Sequence, residues 1–584
     1  MLLKTRGDEQ VQVSRRQNVA GLIIPIALGA LFLLNLAGSL AVVMHCYADF
    51  PVHDMWRMII DYSSYTAGKF SIFLSPHGDH RILFPELLYA IDALVFHAQQ
   101  YFLIAMAYLL QFGAAFIIWR AFHSAGRPAK AVSISAAFLI SAVLFYRGIG
   151  ITFVWPILIG WQLQILCSLL AIYALRTASI NSKVVPFCAA IALGWIATFS
   201  IGGGMVIWPV LILLAILVRL SSGRIVTLVV SGAFAIFLYT RGLGGNTGPL
   251  FNLARHPLYT AGWICEYLGM PIAATNTLLG GVLGGLTILA LIVILAIRRK
   301  HIIGSAGLVL YSFCAVVILT ALLTAAGRIG FGDPVFLSAR QSRYLSFPLA
   351  YWAAFTAVVL WFALTLRRGQ ILALTVLGLF GCGFAVMFSH LHTWERFEES
   401  FFERSRASAL ALEAGVFDSA TVKIGLFVAP EVIRDGVPYL RDRRLALFAT
   451  SESHWIGKPA ASLFHLNASS VGELEEVRAI PFGNGYRVTA LVRHLPAHFK
   501  SPFSRPKFVF TGHNGGIIGL GMLIAGDYPA TLVPGATVRS PVLIGFLLPE
   551  SSDCTVHLYV ESSGHNLSPV SGRICIRPPL PPHV

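Results

Sequence analysis

Residues 19–44 read VAGLIIPIALGALFLLNLAGSLAVVM, an apolar run with no charged side chain. A membrane-crossing helix needs about 20 consecutive apolar residues, and this run exceeds that. It is also longer than the core of a cleavable signal peptide, and no small-residue cleavage site follows it. Lys4, Arg6, Arg15 and Arg16 precede it and are expected to hold the N-terminus in the cytoplasm, so the segment reads as a signal anchor.

Further candidate spans follow at 100–119, 131–147, 161–175, 184–200, 203–218, 225–240, 277–297, 303–326, 344–366 and 371–389. Basic residues fall between them in alternate gaps: Arg120, Arg127 and Lys130; Arg176 and Lys183; Arg219 and Arg224; Arg298 to Lys300; Arg367 and Arg368. Each group lies where an N-in topology places a cytoplasmic loop. The expected fold is therefore a membrane all-α bundle of about 11 transmembrane helices, N-in and C-out. The polytopic domain covers 1–390, with a large first external loop at 45–99, a helical connector at 391–420, and an extracytoplasmic β-rich, sandwich-like domain at 421–584.

Composition agrees. Of 584 residues, 56% are hydrophobic and 12% charged, with a mean hydropathy of +0.73. Soluble domains carry roughly 25% charged residues. The net charge of +16 suits cytoplasmic loops rather than nucleic acid, since neither zinc-type Cys/His spacing nor an aromatic-basic single-strand platform is present. The expected home is the bacterial cytoplasmic (inner) membrane, with the C-terminal domain periplasmic.

Within the first external loop, Ile82 to Phe96 is apolar but interrupted by Pro85, Glu86 and Asp92. Too short and polar to span, it reads as helix lying on the membrane surface. Beyond residue 420 come short β-rich runs: Val422–Val428, Tyr486–Val492, Lys507–Phe510, Val542–Leu548, Thr555–Val560 and Arg573–Ile576. Asn514-Gly515-Gly516 is a hairpin signal. No repeat of fixed period is evident, and Pro578–Val584 reads as a loose tail. Cys554 and Cys575 lie on neighbouring expected strands in a compartment that permits disulfides, which makes them candidates for a bridge. The other six cysteines sit in or beside spans and read as small apolar fillers.

Candidate chemistry gathers on the external side. The first loop reads Ala48-Asp49-Phe50-Pro51-Val52-His53-Asp54-Met55-Trp56, and later His77-Gly78-Asp79-His80-Arg81. These charges suit a reactive site, or a segment that fixes the loop to the bundle. Arg147, Arg241, Arg255, His256, Arg328, Arg340 and Arg343 lie at external span ends or loops, against the usual charge bias. An anionic ligand would explain them, since the guanidinium fork matches phosphate oxygens. Pairing with Asp49, Asp61, Glu266, Asp333 or lipid headgroups is the alternative. For Arg340 with Arg343 the ligand reading is preferred. Gln162 and Gln164 follow Trp161 inside an apolar run and need partners there. Phe199-Ser200-Ile201-Gly202-Gly203-Gly204 is an external turn.

These features together resemble the GT-C superfamily of membrane glycosyltransferases. They are similar, more closely, to a bacterial polytopic family with a His-Asn-Glu-His-Arg-like first external loop. In that family a Trp-containing glutamine segment, a Ser/Gly turn and an Arg-Tyr pair follow in order. The matching positions here are His77 to Arg81, Trp161 to Gln164, Ser200 to Gly204 and Arg343-Tyr344. The match covers residues 1–400 and departs at Gly78-Asp79, where the pattern has Asn-Glu. The resemblance implies an inverting enzyme that moves a sugar from a polyprenyl-phosphate donor to a cell-envelope glycan or lipid acceptor. A carboxylate would take the acceptor proton, and cations would stabilise the leaving phosphate. On that scheme Asp54 is the first choice of base, then Asp79, then Asp49. His53, Trp56, His80, Arg81, Gln162, Arg255, Arg340, Arg343 and Tyr344 are the candidate substrate-binding residues, with the Trp56 indole stacking on a sugar. Some relatives use a divalent metal, but hard cations take several carboxylates, and neither a metal nor another cofactor is expected. The competing classes are a lipid-linked glycan transporter or flippase and a non-enzymatic envelope assembly protein. Few charges lie within the spans, which favours a surface site over a transport pathway.

Overall fold

The computed structural model describes residues 2–243 except 182, 253–328 except 254, 274 and 275, 337–389, 392–417, 426, 428–496 except 451, 499, 507–524, 542–548, 556–562 and 565–576. It divides into two compact units. The first comprises residues 1–43, 73–87 and 103–394; the second comprises 44–72, 88–102 and 395–584.

Helices dominate the first unit. In chain order the chain forms α1 (Leu2–Cys46), α2 (Met55–Thr66), α3 (Leu83–Phe96), α4 (Tyr101–Gly126), α5 (Lys130–Leu144), α6 (Gly150–Val154), α7 (Ile159–Asn181), α8 (Val184–Thr198), α9 (Ile207–Leu217), α10 (Ser222–Thr240), α11 (Pro257–Ala273), α12 (Thr277–Gly304), α13 (Gly307–Arg328), α14 (Ser346–Leu364) and α15 (Gly369–Ser389). Among the described residues, seven helices are long and apolar enough to cross a membrane. An eighth arises if α5 and the segment Arg147–Val154, bent by 45°, form one span. Each of the segments expected to span falls on a helix. Those expected at 184–200, 203–218 and 371–389, however, fall on the shorter apolar helices Val184–Thr198, Gly202–Leu217 and Gly369–Ala385.

The surfaces of these helices are inverted relative to a water-soluble protein. Leu22, Ile26 and Leu33 on α1, Val230 and Phe234 on α10, and Leu278 and Ile292 on α12 are all exposed. An apolar belt of this kind marks contact with lipid. Polar side chains instead point inward, as Gln111, Gln162, Gln164, Thr320 and Thr356 do. α14 is buried along most of its length and forms the centre of the bundle. α11 and α12 approach closely through Gly280 and Gly284, where an added Cβ would meet Glu266 and the Cys265 carbonyl. This small-xxx-small spacing lets membrane helices gain dispersion contacts between backbones. The Asn276 side chain caps α12 by accepting the Leu279 N–H at 3.0 Å.

The second unit adds α16 (His392–Glu413), α17 (Pro430–Arg443) and a β-domain: β1 (His465–Leu466), β2 (Glu473–Phe482), β3 (Gly485–Arg493), β4 (Lys507–Thr511), β5 (Ile517–Ile524), β6 (Val542–Leu547), β7 (Val556–Ser562) and β8 (Asn566–Ile574). The strands run in the order β1-β8-β2-β3-β6-β5-β4-β7, and β7 pairs again with β8. Among the described strands the sheet therefore closes on itself through the β7–β8 pairing, as a barrel where a sandwich-like domain was expected, and closure reduces the exposed strand edge. The β1–β8 and β2–β8 pairings are parallel, the others antiparallel. The interior is filled by Phe508, Phe510, Val488, Leu543 and Leu558. Gly515, at φ 76°, turns the β4–β5 hairpin. The expected strand at Val422–Val428 falls largely outside the described residues. Cys554 does too, and Cys575 is exposed just past β8.

Candidate functional site

In the first unit, the pentapeptide His77–Arg81 forms a tight turn. His77 and His80 exchange backbone hydrogen bonds, N–H to O, at 2.7 and 3.2 Å. Gly78 takes the first corner position at φ 60°, where a Cβ is strained. Asp79 is exposed at the second corner. His80 reaches the Ser/Gly turn, with Nδ1 beside Gly202. Arg81 is buried: its Nε donates to the Tyr239 carbonyl at 2.8 Å, and Nη2 donates to the Arg241 carbonyl. The Arg81 backbone N–H also donates to the Tyr239 hydroxyl at 3.2 Å. A cation on the last carbonyls of a helix is a C-terminal cap. The Arg81 guanidinium, expected among the substrate-binding groups, thus fastens the loop to the end of α10.

A second cluster is built by α11, the start of α7 and the two 3₁₀ turns Leu337–Arg340 and Ser342–Tyr344. Four buried rings form a ladder. Trp263 stacks on Tyr267 at 5.3 Å, Tyr267 meets Tyr344 at 6.0 Å, and Tyr344 stacks on Trp161 at 5.5 Å. Trp263 Nε1 donates to the Ser338 hydroxyl at 3.0 Å, which fixes the first turn. Arg343 lies over the Tyr344 ring, its Cζ 5.1 Å from the centroid. Arg340 pairs with Glu266 at 3.2 Å, and both are buried or nearly so. This pairing is the alternative weighed for the arginines expected outside. Gln162 is buried, its Nε2 3.5 Å from the Ser346 hydroxyl. Gln164 donates to Thr320 at 3.2 Å. Arg255 is exposed on a neighbouring segment.

In the second unit, Asp54 stands at the N-terminus of α2 with its side chain 58% exposed, and its carboxylate meets His53 Nδ1 at 2.8 Å. The Asp54 carboxylate is accessible, whereas His53 Nδ1 is buried against it. Trp56 is 0% exposed and packs on Gly436 of α17. Helical spacing turns this ring, the expected sugar-stacking group, inward while Asp54 stays out. Asp49 is half-buried beside Glu413. Burial, and then the charge of Asp49, push the Glu413 carboxyl up to about 8, opposed by the Thr450 hydroxyl at 3.1 Å and by Lys507. Asp92 is fully buried; it accepts the Gln100 N–H at 3.0 Å, and burial raises its carboxyl to about 7.

Sequence reasoning missed Trp263 and Tyr267 and treated Glu266 only as a pairing partner. The signal was there: positions 263, 266 and 267 share one face of a helix. The structure brings Trp161, Gln162, Arg340, Arg343 and Tyr344 together with these three. It places His80, Arg81 and Asp79 in a separate turn of the same unit.

By its apolar helices and lipid-facing belt this chain is a multi-pass membrane protein carrying a C-terminal β-domain. No family model, curated protein or solved structure matches it.

Proposed function

We propose that the chain is a GT-C-like membrane glycosyltransferase that takes a sugar from a polyprenyl-phosphate donor and transfers it, with inversion, to an envelope glycan or lipid acceptor. The observation that carries this reading is the buried aromatic and charged cluster around Trp161, Tyr267, Arg343 and Tyr344, since membrane bundles concentrate costly polar groups where they function. In this reading Arg343 holds the donor phosphate and Asp54, oriented by His53, accepts the acceptor proton. The His77–Arg81 turn positions the loop, with Asp79 the second candidate for base. The alternation of basic loops supports about 11 spans with an N-in, C-out orientation, which sets these groups on the outer face of the cytoplasmic membrane.

Asp54→Asn keeps the side-chain shape and removes the charge. Cells lacking the gene and complemented with this variant should lose the surface glycan, with transfer reduced about 10²- to 10⁴-fold and membrane abundance unchanged. Unchanged glycan in Asp54→Asn removes Asp54 as base; unchanged glycan in both Asp54→Asn and Asp79→Asn leaves the transporter as the better reading.

A further inference from the structure

The aromatic ladder contains more buried hydrogen-bonding capacity than the protein uses. Among the described residues, the hydroxyls of Tyr267 and Tyr344 and the amide oxygen of Gln162 are buried and have no hydrogen-bond partner. Their side chains are almost closed to solvent, at 0%, 6% and 1% exposure. Leaving a buried polar group unpaired costs free energy, so orphans in one place call for an explanation. These three do share a place. Tyr267 and Tyr344 are in ring contact and interact electrostatically, Tyr344 stacks on Trp161, and Gln162 follows Trp161 and reaches Ser346.

Their chemistry restricts what completes them. A phenol O–H donates, and Arg343 above the Tyr344 ring adds guanidinium N–H donors without an acidic partner among the described residues. That set suits anionic oxygens. The Gln162 oxygen can only accept, so it requires a ligand O–H or N–H. Arg340 is not counted in this set, because it already pairs with Glu266.

We propose that Tyr267, Tyr344, Gln162 and Arg343 form a subsite for a phosphate-linked sugar, with the phosphate oxygens taken by Arg343 and the two phenols and a sugar hydroxyl taken by Gln162. Tyr267 is the specific new element. The subsite rests on the reading of the chain as an enzyme of lipid-linked sugars, and names residues that recognise the donor head. No covalent step is assigned to these side chains.

The test uses the full-length protein in detergent, with Tyr267→Phe and Gln162→Met beside the wild type. The probes are farnesyl phosphate, farnesyl-phosphate-linked hexose, phosphatidylglycerol and inorganic phosphate. Without ligand, Tyr267→Phe should melt at or above the wild-type temperature, because it removes an orphan hydroxyl rather than a bond, whereas Gln162→Met also gives up the Nε2 contact with Ser346 and should melt at or slightly below it. Farnesyl phosphate should raise the wild-type melting temperature, and the hexose-linked probe should raise it further. Tyr267→Phe should weaken both about tenfold, as loss of one hydrogen bond to a charged group does. Gln162→Met should erase only the extra contribution of the hexose. Equal stabilisation by phosphatidylglycerol, or by inorganic phosphate, would mean a generic anion contact and overturns the proposal. So does unchanged probe binding in Tyr267→Phe, or a lowered melting temperature in its unliganded form. Binding that follows this pattern while cells show no sugar transfer refutes the transferase and leaves the subsite standing.

Discussion

Replacing Arg81 distinguishes a structural arginine from a ligand-binding one. The wild-type guanidinium donates to two carbonyls at the end of α10, those of Tyr239 and Arg241, and is buried while doing so. A hydrogen bond involving a charged group contributes roughly 1.5–3 kcal/mol, so removing both in Arg81→Ala should cost about 3–6 kcal/mol. The free carbonyls at the negative end of a helix add to that loss. Arg81→Lys retains the charge, but a single ammonium cannot span both acceptors, and about half of the cost should remain. The assay is thermal unfolding of detergent-solubilised protein together with abundance in isolated membranes. Both should fall in the order wild type, Lys, Ala, with surface glycan falling only as far as protein abundance does. An Arg81→Ala protein of normal abundance and melting temperature that has lost glycan transfer would refute the capping argument and return Arg81 to the ligand.

Two further perturbations follow from the same structure. Asp92 and Glu413 both have carboxyls raised by burial, to about 7 and about 8, so the folded protein binds protons that the unfolded chain releases near pH 4. Their stabilising contribution is complete below about pH 4 and declines through pH 7–8; for Asp92 the full span is about 4 kcal/mol. Asp92→Asn should flatten roughly half of this fall in a melting-temperature series from pH 5 to 9, and an unchanged slope would show that Asp92 is ionised in the fold. Gly78 sits at φ 60° with open space where a Cβ would go, so only backbone strain opposes substitution. Gly78→Val should destabilise by about 1–2 kcal/mol and Gly78→Asn by much less, because Asn tolerates the left-handed region. Equal melting temperatures for the two variants would mean that the turn relaxes.

The membrane bundle was legible because an apolar run long enough to span states itself locally, as residues 19–44 do. The strands β3, β4, β6 and β7 were legible for a similar reason, each being a short apolar run between turn residues. Closure of the barrel was not. It depends on β8 pairing in parallel with β1 and β2, contacts distant in sequence that leave no local signature. β8 was also disguised by Pro569 and by Gly572 at φ 137°, both poor strand residues. The site shows the same division. Residue types and their expected external positions singled out Arg343, Tyr344 and Gln162, which the structure brings into one cluster, whereas the packing of Trp56 and Arg81 is set by Gly436 and by the end of α10. Those partners lie far along the chain.

The arginine pair illustrates how a distant partner changes chemistry as well as geometry. Two neighbouring external guanidiniums suggested a clamp with two positive charges for a phosphate. Glu266 engages one of them, lying 3.2 Å from Arg340, while burial raises the Glu266 carboxyl to about 7 against the pull of that guanidinium. Separating such a pair to free Arg340 would strand a buried charge, at a cost of about 3–5 kcal/mol, comparable with a useful share of ligand affinity. Binding an anion through Arg340 is therefore unfavourable, and the Glu266–Arg340 pair instead fixes the turn that presents Arg343. One cation flanked by phenol donors gives a weaker but more directional site than two arginines.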